Sequence, residues 1–387
     1  MTVSAAQHSR VGDPGRVWAP IVDQHATWIA VNPVQGCPKR CTYCFLNERG
    51  QTAVPPTQLA SAREAVDLLL SSEFYGPSRP VALYTWTDVM ALPASRTHLA
   101  ALLEEWVRRA VPSPVVLITK CQVPDETIAV INSARERGTT VLVYLSYSGL
   151  SREVERGIRH DAIVANFPRL AEAGIPIVHY WRPVFPDSAD LETMCRVLDH
   201  AARYAVCTVA AGLKVEPAAL DRLAESWPEL ASTPGVTEAE GVYPRLFWEF
   251  MHRTWQRHPG YPLFHTNSCA LSFVLERADS FGVFGSPICR QRNTCPVTQR
   301  ERCTAADSRR TPPSNDEIRA ALTRRGLPEV SFSLVEQGRE LIIDAAAETN
   351  VAAALTQDLG VRIRVARDDG DAYWSSGTAG AIPVIVG

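Results

Sequence analysis

The sequence predicts an α/β protein built on a parallel sheet, followed by a cysteine-rich extension and a small α+β module. Three observations lead there. Between residue 28 and about residue 215, short runs rich in β-branched and aromatic residues alternate with longer amphipathic stretches, the pattern of strands joined by crossover helices. Four cysteines, Cys269, Cys289, Cys295 and Cys303, then fall within 35 residues. The stretch from 309 to 387 returns to a mixture of strands and helices and contains no cysteine.

In chain order, residues 1–24 read as an irregular leader. The strands expected next are Trp28–Val31, Val81–Thr85, Val115–Thr119, Thr140–Tyr147, Ile175–Val184 and Tyr204–Ala210. Amphipathic segments lie between them at Pro56–Ser71, Arg96–Ala110, Pro124–Arg137, Ala162–Ala173 and Ala189–Ala202. Together these form a first large domain over 25–215. Residues 216–308 form the extension, helical and aromatic-rich to about 260 (Trp227, Phe247, Trp248, Phe250, Trp255), then a loop-like, arginine-rich run over 285–303. Residues 304–316 read as a linker. Asn315 or Asp316 is expected to cap a helix running to about Arg325. Strands at Val330–Val335, Glu340–Ala345 and Val361–Ala366 and a helix at Val351–Asp358 complete the C-terminal module, 309–387.

Bulk properties exclude several classes. A net charge of −3 gives no polyelectrolyte drive toward nucleic acid. No apolar run approaches the length of a membrane span, and residues 1–24 lack the apolar core of a signal peptide. Ten cysteines without such a signal indicate a reducing, cytoplasmic setting, where metal or redox roles outweigh disulfides.

Residues 36–46, Gly-Cys-Pro-Lys-Arg-Cys-Thr-Tyr-Cys-Phe-Leu, place Cys37, Cys41 and Cys44 at C-x3-C-x2-C spacing in a loop after the apolar run Trp28–Val31. Thiolates this close together can hold three irons of a cubane [4Fe–4S] cluster. With no fourth cysteine nearby, one iron stays open to an outside ligand. A structural zinc site normally closes with four ligands, and the surrounding stretch adds one histidine, His25.

This loop resembles the signature of the radical S-adenosylmethionine (radical SAM) superfamily. The resemblance implies that the open iron chelates the amino and carboxylate groups of S-adenosylmethionine (SAM), which the reduced cluster cleaves to a 5′-deoxyadenosyl radical. It also implies a partial (β/α)6 barrel with its chemistry at the C-terminal ends of the strands. Tyr43 matches a family position that lies against the adenine. The stretch Tyr84-Thr-Trp-Thr-Asp88 stands where many radical SAM enzymes bind the SAM amino group, so Thr85, Thr87 and Asp88 are candidates, with a turn aspartate as the alternative for Asp88. Ser146 and Ser148 share a strand face with Tyr144 and are candidate contacts to the SAM ribose or carboxylate, or else turn residues. Arg182 is a candidate to hold the SAM carboxylate or an anionic substrate. His179 reads as a satisfied core histidine. The Thr-Asp turn, the Thr-Lys ending of the third strand and the segment from Arg169 to Pro186 are similar to the spore-photoproduct-lyase-like branch, over about residues 28–215.

Cys269, Cys289, Cys295 and Cys303 make a full set for a closed all-thiolate site. Paired C-x2-C knuckles are absent, which favours an auxiliary [4Fe–4S] cluster over zinc. Cys195 and Cys207 read as buried small hydrophobes. Cys121, directly after the third strand, is either a hydrogen-atom donor or an inert buried thiol. The leading expectation is a radical SAM enzyme acting on a small or nucleotide-like metabolite and reduced by a flavodoxin- or ferredoxin-type donor. Its auxiliary cluster would bind substrate, relay electrons or donate sulfur. The alternatives are nucleic-acid repair, modification of a ribosomal peptide and a non-enzymatic iron–sulfur or zinc protein.

Overall fold

A computed structural model of the chain describes residues 15–237, 239, 241–279, 294–345, 347, 349–366, 372–374 and 384–386. Its centre is an eight-stranded sheet in the order Val22–Gln24, Ile29–Val31, Val81–Leu83, Val115–Thr119, Val141–Ser146, Ile177–Trp181, Cys207–Ala210, Leu263–Phe264. Only the edge pair Val22–Gln24 with Ile29–Val31 is antiparallel; every other neighbouring pair is parallel. The expected strands are therefore present in sequence order, Val115–Thr119 with its expected bounds and the others trimmed at one or both ends. Two differ from expectation. Val22–Gln24 lies in the supposed leader yet pairs with the sheet, and Leu263–Phe264 adds a seventh parallel strand beyond residue 215.

Both faces of the sheet are apolar, as a parallel sheet with both faces covered requires. On one face Val81, Leu83, Leu117, Val143, Leu145 and Trp181 pack against Leu69, Leu102, Trp106, Ile131, Phe167 and Leu198 of the crossover helices. On the other, Ala82, Val116, Leu142, Tyr144, Val178, Tyr180, Cys207 and Val209 pack with Trp28 and with Leu271 of the helix Asn267–Val274. Trp28, Tyr144 and Tyr180 meet edge to face here, with centroids 6.0 and 5.6 Å apart, the arrangement ring quadrupoles favour. His179 points to the helical face and is fully buried, bridging Thr208 Oγ1 and the Tyr147 carbonyl at 2.9 and 2.7 Å. Burial holds its pKa down near about 4, so it is a neutral core group.

The extension is less helical than expected. It includes the strand Val242–Pro244, which pairs in parallel with Val384–Val386 of the tail. Val386 is buried there with Leu150, Phe185, Leu213 and Trp227. Conversely, the expected loop around Cys303 is the helix Val297–Ser308. The C-terminal region forms a four-stranded sheet, Phe332–Val335, Glu340–Ile343, Arg362–Ala366 and Ala372–Trp374, with helices Asn315–Arg324 and Thr349–Leu359. The cap of Asn315–Arg324 is Ser314, not Asn315 or Asp316: Ser314 and Glu317 form a reciprocal capping box, and the expected residues fall inside the first turn. Arg325 joins this unit to the turn after the helix Ala62–Ser71, contacting Glu73 at 3.0 Å there and Asp358 of its own unit at 2.8 Å.

Candidate metal centre

The chain leaves Val34–Gln35 through Gly36, at φ +97°. A Cβ here would lie 3.1 Å from the Pro55 carbonyl oxygen, so both the backbone angle and the space favour glycine. The Gly36 amide donates to the Trp86 carbonyl at 3.1 Å, and the Cys37 amide to the Gln51 carbonyl at 2.8 Å. The Asn47 side chain closes the loop: its amide donates to the Cys41 and Cys44 carbonyls at 3.1 and 2.8 Å, and its oxygen accepts from Thr52 Oγ1 at 2.7 Å. Cys37 and Cys41 are buried and Cys44 half-buried.

Burial pushes the Cys37 thiol up to about 12, with Asp88 adding to it, and the Cys41 thiol up to about 12, against the pull of Lys120; burial also raises Cys44. Such thiols ionise when a metal cation takes the place of the proton. Among the described residues, no three His, Cys, Asp or Glu side chains enclose a single-ion site. A cubane cluster asks for something different, because each thiolate binds its own iron and the sulfurs ring the cluster. Three thiols supplied by one loop are the donor set that a cluster with one iron left open would take.

Lys120 and Glu155 tie this loop to the strand ends. Cys41 lies opposite Glu155 in the two-residue ladder of Arg40–Cys41 with Glu155–Arg156. Glu155, 1 % exposed, accepts from Lys120 Nζ at 2.7 Å, Tyr43 Oη at 2.5 Å and His160 Nε2 at 2.7 Å. Its burial works against ionisation, but the Lys120 ammonium and these hydrogen bonds prevail and hold its pKa at about 2. Lys120 Nζ also reaches the carbonyls of Arg182 at 3.1 Å and Ser146 at 3.4 Å. Asp88 fixes the neighbouring turn, accepting from Thr119 Oγ1 at 2.7 Å, the Met90 amide at 3.1 Å and the Lys120 amide at 2.7 Å.

The other expected residues divide into committed and uncommitted groups. Thr85 Oγ1 donates to Asn32 Oδ1 at 3.0 Å, and Ser146 Oγ to the Arg182 carbonyl at 3.0 Å. The Thr87 and Ser148 hydroxyls are buried without a hydrogen-bond partner, as is that of Tyr144. Arg182 Nη1 donates to Tyr180 Oη at 2.8 Å, and Asn267 Nδ2 reaches the same oxygen at 3.2 Å. Tyr43 packs against Phe185 with centroids 6.0 Å apart. Cys121 is buried beside Asp88, and burial followed by that carboxylate drives its thiol strongly upward.

Cys269 sits in the first turn of Asn267–Val274, capped by Thr266, and Cys295 precedes Val297–Ser308; both pack against the tyrosine-bearing face of the sheet. Cys303 lies within Val297–Ser308, 3.3 Å from Gln299 Nε2. The Leu263–Phe264 strand anchors this corner through mutual hydrogen bonds between Leu263 and Thr294. Cys289 lies outside the described residues.

No family model and no curated protein matches the chain. Solved structures do match it. A spore photoproduct lyase complexed with dinucleoside spore photoproduct is 15% identical over 62% of this chain and 76% of its own, at a TM-score of 0.45. SuiB of Streptococcus suis, bound to S-adenosylmethionine, is 14% identical over 66% of this chain and 54% of its own, at 0.43. A radical S-adenosylmethionine methyltransferase, TsrM of Kitasatospora setae, is 16% identical over 52% and 39%, at 0.37. At these identities and scores, the assignment of roles rests on this chain's own residues.

Sequence reasoning missed Lys120, Glu155, Asn47 and Asn267. Lys120 stood in the Thr-Lys ending of the third strand, and nothing marked it as the partner of a carboxylate 35 residues away. Glu155 carries no motif at all. Asn47, three residues after Cys44, offered a local signal, since an asparagine there can cap the carbonyls of the cysteine turn.

Proposed function

We propose that this chain is a radical SAM enzyme with a partial (β/α)6 barrel, abstracting hydrogen from a small or nucleotide-like metabolite in the cytoplasm. The observation that carries this reading is the position of the Cys37–Cys44 loop at the C-terminal ends of the parallel strands, stitched there by Gly36 to Trp86 and by Glu155 to Lys120. When bound, a [4Fe–4S] cluster with SAM on its open iron supplies the electron and the radical chemistry. Cys37, Cys41 and Cys44 would hold that cluster. Tyr43, fixed by Glu155 and Phe185, would lie against the adenine. Asp88, beside Thr85 and Thr87, would present its carboxylate charge to the SAM ammonium. Ser146, Ser148 and Arg182 would line the carboxylate and ribose side. Cys121, kept protonated by burial and Asp88, would be the thiol that returns a hydrogen atom. Cys269, Cys289, Cys295 and Cys303 would hold the auxiliary cluster.

The test is to count iron and sulfide in anaerobically reconstituted protein, then add SAM and dithionite. About eight irons with 5′-deoxyadenosine formed are expected for two clusters. About four irons with one zinc would refute the auxiliary cluster. Zinc alone and no SAM cleavage would sink the radical reading.

A further inference from the structure

The turn over residues 84–88 begins on a strained residue. Tyr84 follows the strand Val81–Leu83 at φ +59°, the one aromatic residue in the left-handed region among the described residues. Glycine adopts such an angle freely, whereas a bulky side chain holds it only where its surroundings over-determine it. A strand that ran on would point residue 84 to the same face as Ala82. Tyr84 instead packs with Leu83, Leu99 and Leu102 on the helical side of the sheet, 2% exposed. Its amide donates to the Val31 carbonyl at 2.9 Å, and its carbonyl accepts from the Thr87 amide at 3.2 Å. The phenol makes the third tie. Tyr84 Oη lies 2.7 Å from His98 Nδ1, and His98 Nε2 lies 2.9 Å from the Ala60 carbonyl oxygen. A carbonyl only accepts, so Nε2 carries the ring proton and Nδ1 accepts from the Tyr84 hydroxyl. Burial lowers the His98 pKa, which keeps the ring neutral and Nδ1 an acceptor. His98 belongs to the helix Pro93–Arg108, and Ala60 precedes the Ser61 cap of Ala62–Ser71, so the relay is anchored in both helices. Beyond Tyr84, Asn32 Oδ1 accepts from Thr85 Oγ1 at 3.0 Å and from the Trp86 amide at 3.3 Å.

Resting on the SAM reading above, we propose that His98 is a positioning residue: by accepting from Tyr84 it locks the left-handed residue that aims Thr85, Thr87 and Asp88 at SAM. It acts from the helical side of the sheet and touches neither SAM nor the cysteine loop. Without this acceptor, backbone bonds alone oppose the strain at Tyr84. The turn then spends part of its time away from the binding geometry, and apparent SAM affinity falls by that fraction.

The test uses the full chain, reconstituted anaerobically, and variants that separate the two bonds of His98. Glutamine carries its amide nitrogen where Nε2 lies, so His98→Gln keeps the Ala60 bond and loses the acceptor for Tyr84. Asparagine carries its oxygen where Nδ1 lies, so His98→Asn keeps that acceptor. Tyr84→Phe removes the hydroxyl with the least change of shape. SAM binding is read by equilibrium dialysis, cleavage by 5′-deoxyadenosine, and the turn itself by hydrogen exchange of the peptide covering 84–90. Tyr84→Phe and His98→Gln are each expected to raise Kd and KM for SAM about fivefold, with kcat within about twofold of wild type. The double variant should bind no more weakly than either single one, because both remove the same bond. His98→Asn should restore binding, and exchange of the turn should quicken in the Phe and Gln variants alone. Equal damage from His98→Asn and His98→Gln overturns the proposal and leaves His98 a packing residue of its helix. So does a Tyr84→Phe chain with unchanged SAM affinity and unchanged exchange. If the wild type binds no SAM while exchange still follows this pattern, the SAM reading fails and the positioning role stands.

Discussion

The two cysteine groups differ in how the chain brings them together. Cys37, Cys41 and Cys44 lie within eight residues, and the backbone around them is determined almost entirely by neighbours: Gly36, Asn47, Gln51 and Thr52 supply the bonds that shape the loop. Cys269, Cys295 and Cys303 come from two helices and the approach to one of them, anchored to the two-residue strand at the sheet edge. A ligand set held by one loop requires little of the rest of the fold. Cysteines carried by separate elements, as the second group is, reach their positions only once the edge of the sheet is in place. The first group is therefore a local device and the second a product of tertiary structure.

The largest expected effect comes from Cys41→Ala, which should abolish both the first cluster and SAM cleavage, read as iron content and 5′-deoxyadenosine. Retained cleavage would remove the functional distinction between the two groups. Next, Cys295→Ala should lower iron from about eight to about four per chain while leaving uncoupled cleavage intact and product formation impaired. A loss of solubility alone would make the second group purely structural.

Glu155→Gln sharpens the comparison through one of the tertiary ties that hold the first loop. Leaving Lys120 buried without its counter-charge is expected to cost about 3–5 kcal/mol in urea unfolding. The pH dependence has a definite sign. The Glu155 pKa is held at about 2 in the folded chain, below the range of an unfolded glutamate, so its contribution is complete above that range and is lost as pH falls toward 2. The contribution is about 3 kcal/mol, and the Gln variant should lack this part of the acid-induced decline. The smallest effect belongs to a control remote from both groups: Ser314→Ala should cost about 1 kcal/mol through the lost cap and leave iron content unchanged.

Legibility from the sequence followed the same division. Val115–Thr119 was readable end to end because it is five consecutive β-forming residues, four of them buried. Leu263–Phe264 was not, since two residues carry no periodicity and only their pairing with Thr208 and Val209 makes them a strand. Val22–Gln24 looked like leader because a half-polar edge strand has no pattern of its own. The helix Val297–Ser308 was hidden by its composition, with only Gln299 buried and no apolar stripe to reveal it. In the site, the cysteine spacing was local and therefore visible. The ion pair of Lys120 with Glu155 depends on the ladder that sets Glu155 across from Cys41, and no spacing rule encodes that.

Lys120 carries one further consequence, which follows from counting protons. An ammonium has three N–H bonds and no lone pair. The Glu155 carboxylate, the Arg182 carbonyl and the Ser146 carbonyl provide three acceptors, so every proton is spoken for within the protein. A substrate arriving at the strand ends meets a charge it can feel and a group with nothing left to donate. Arginine could not take over this post, because its planar fork does not match three acceptors spread around a tetrahedral nitrogen. Lys120 behaves as a strut that holds the strand ends and the cysteine loop together.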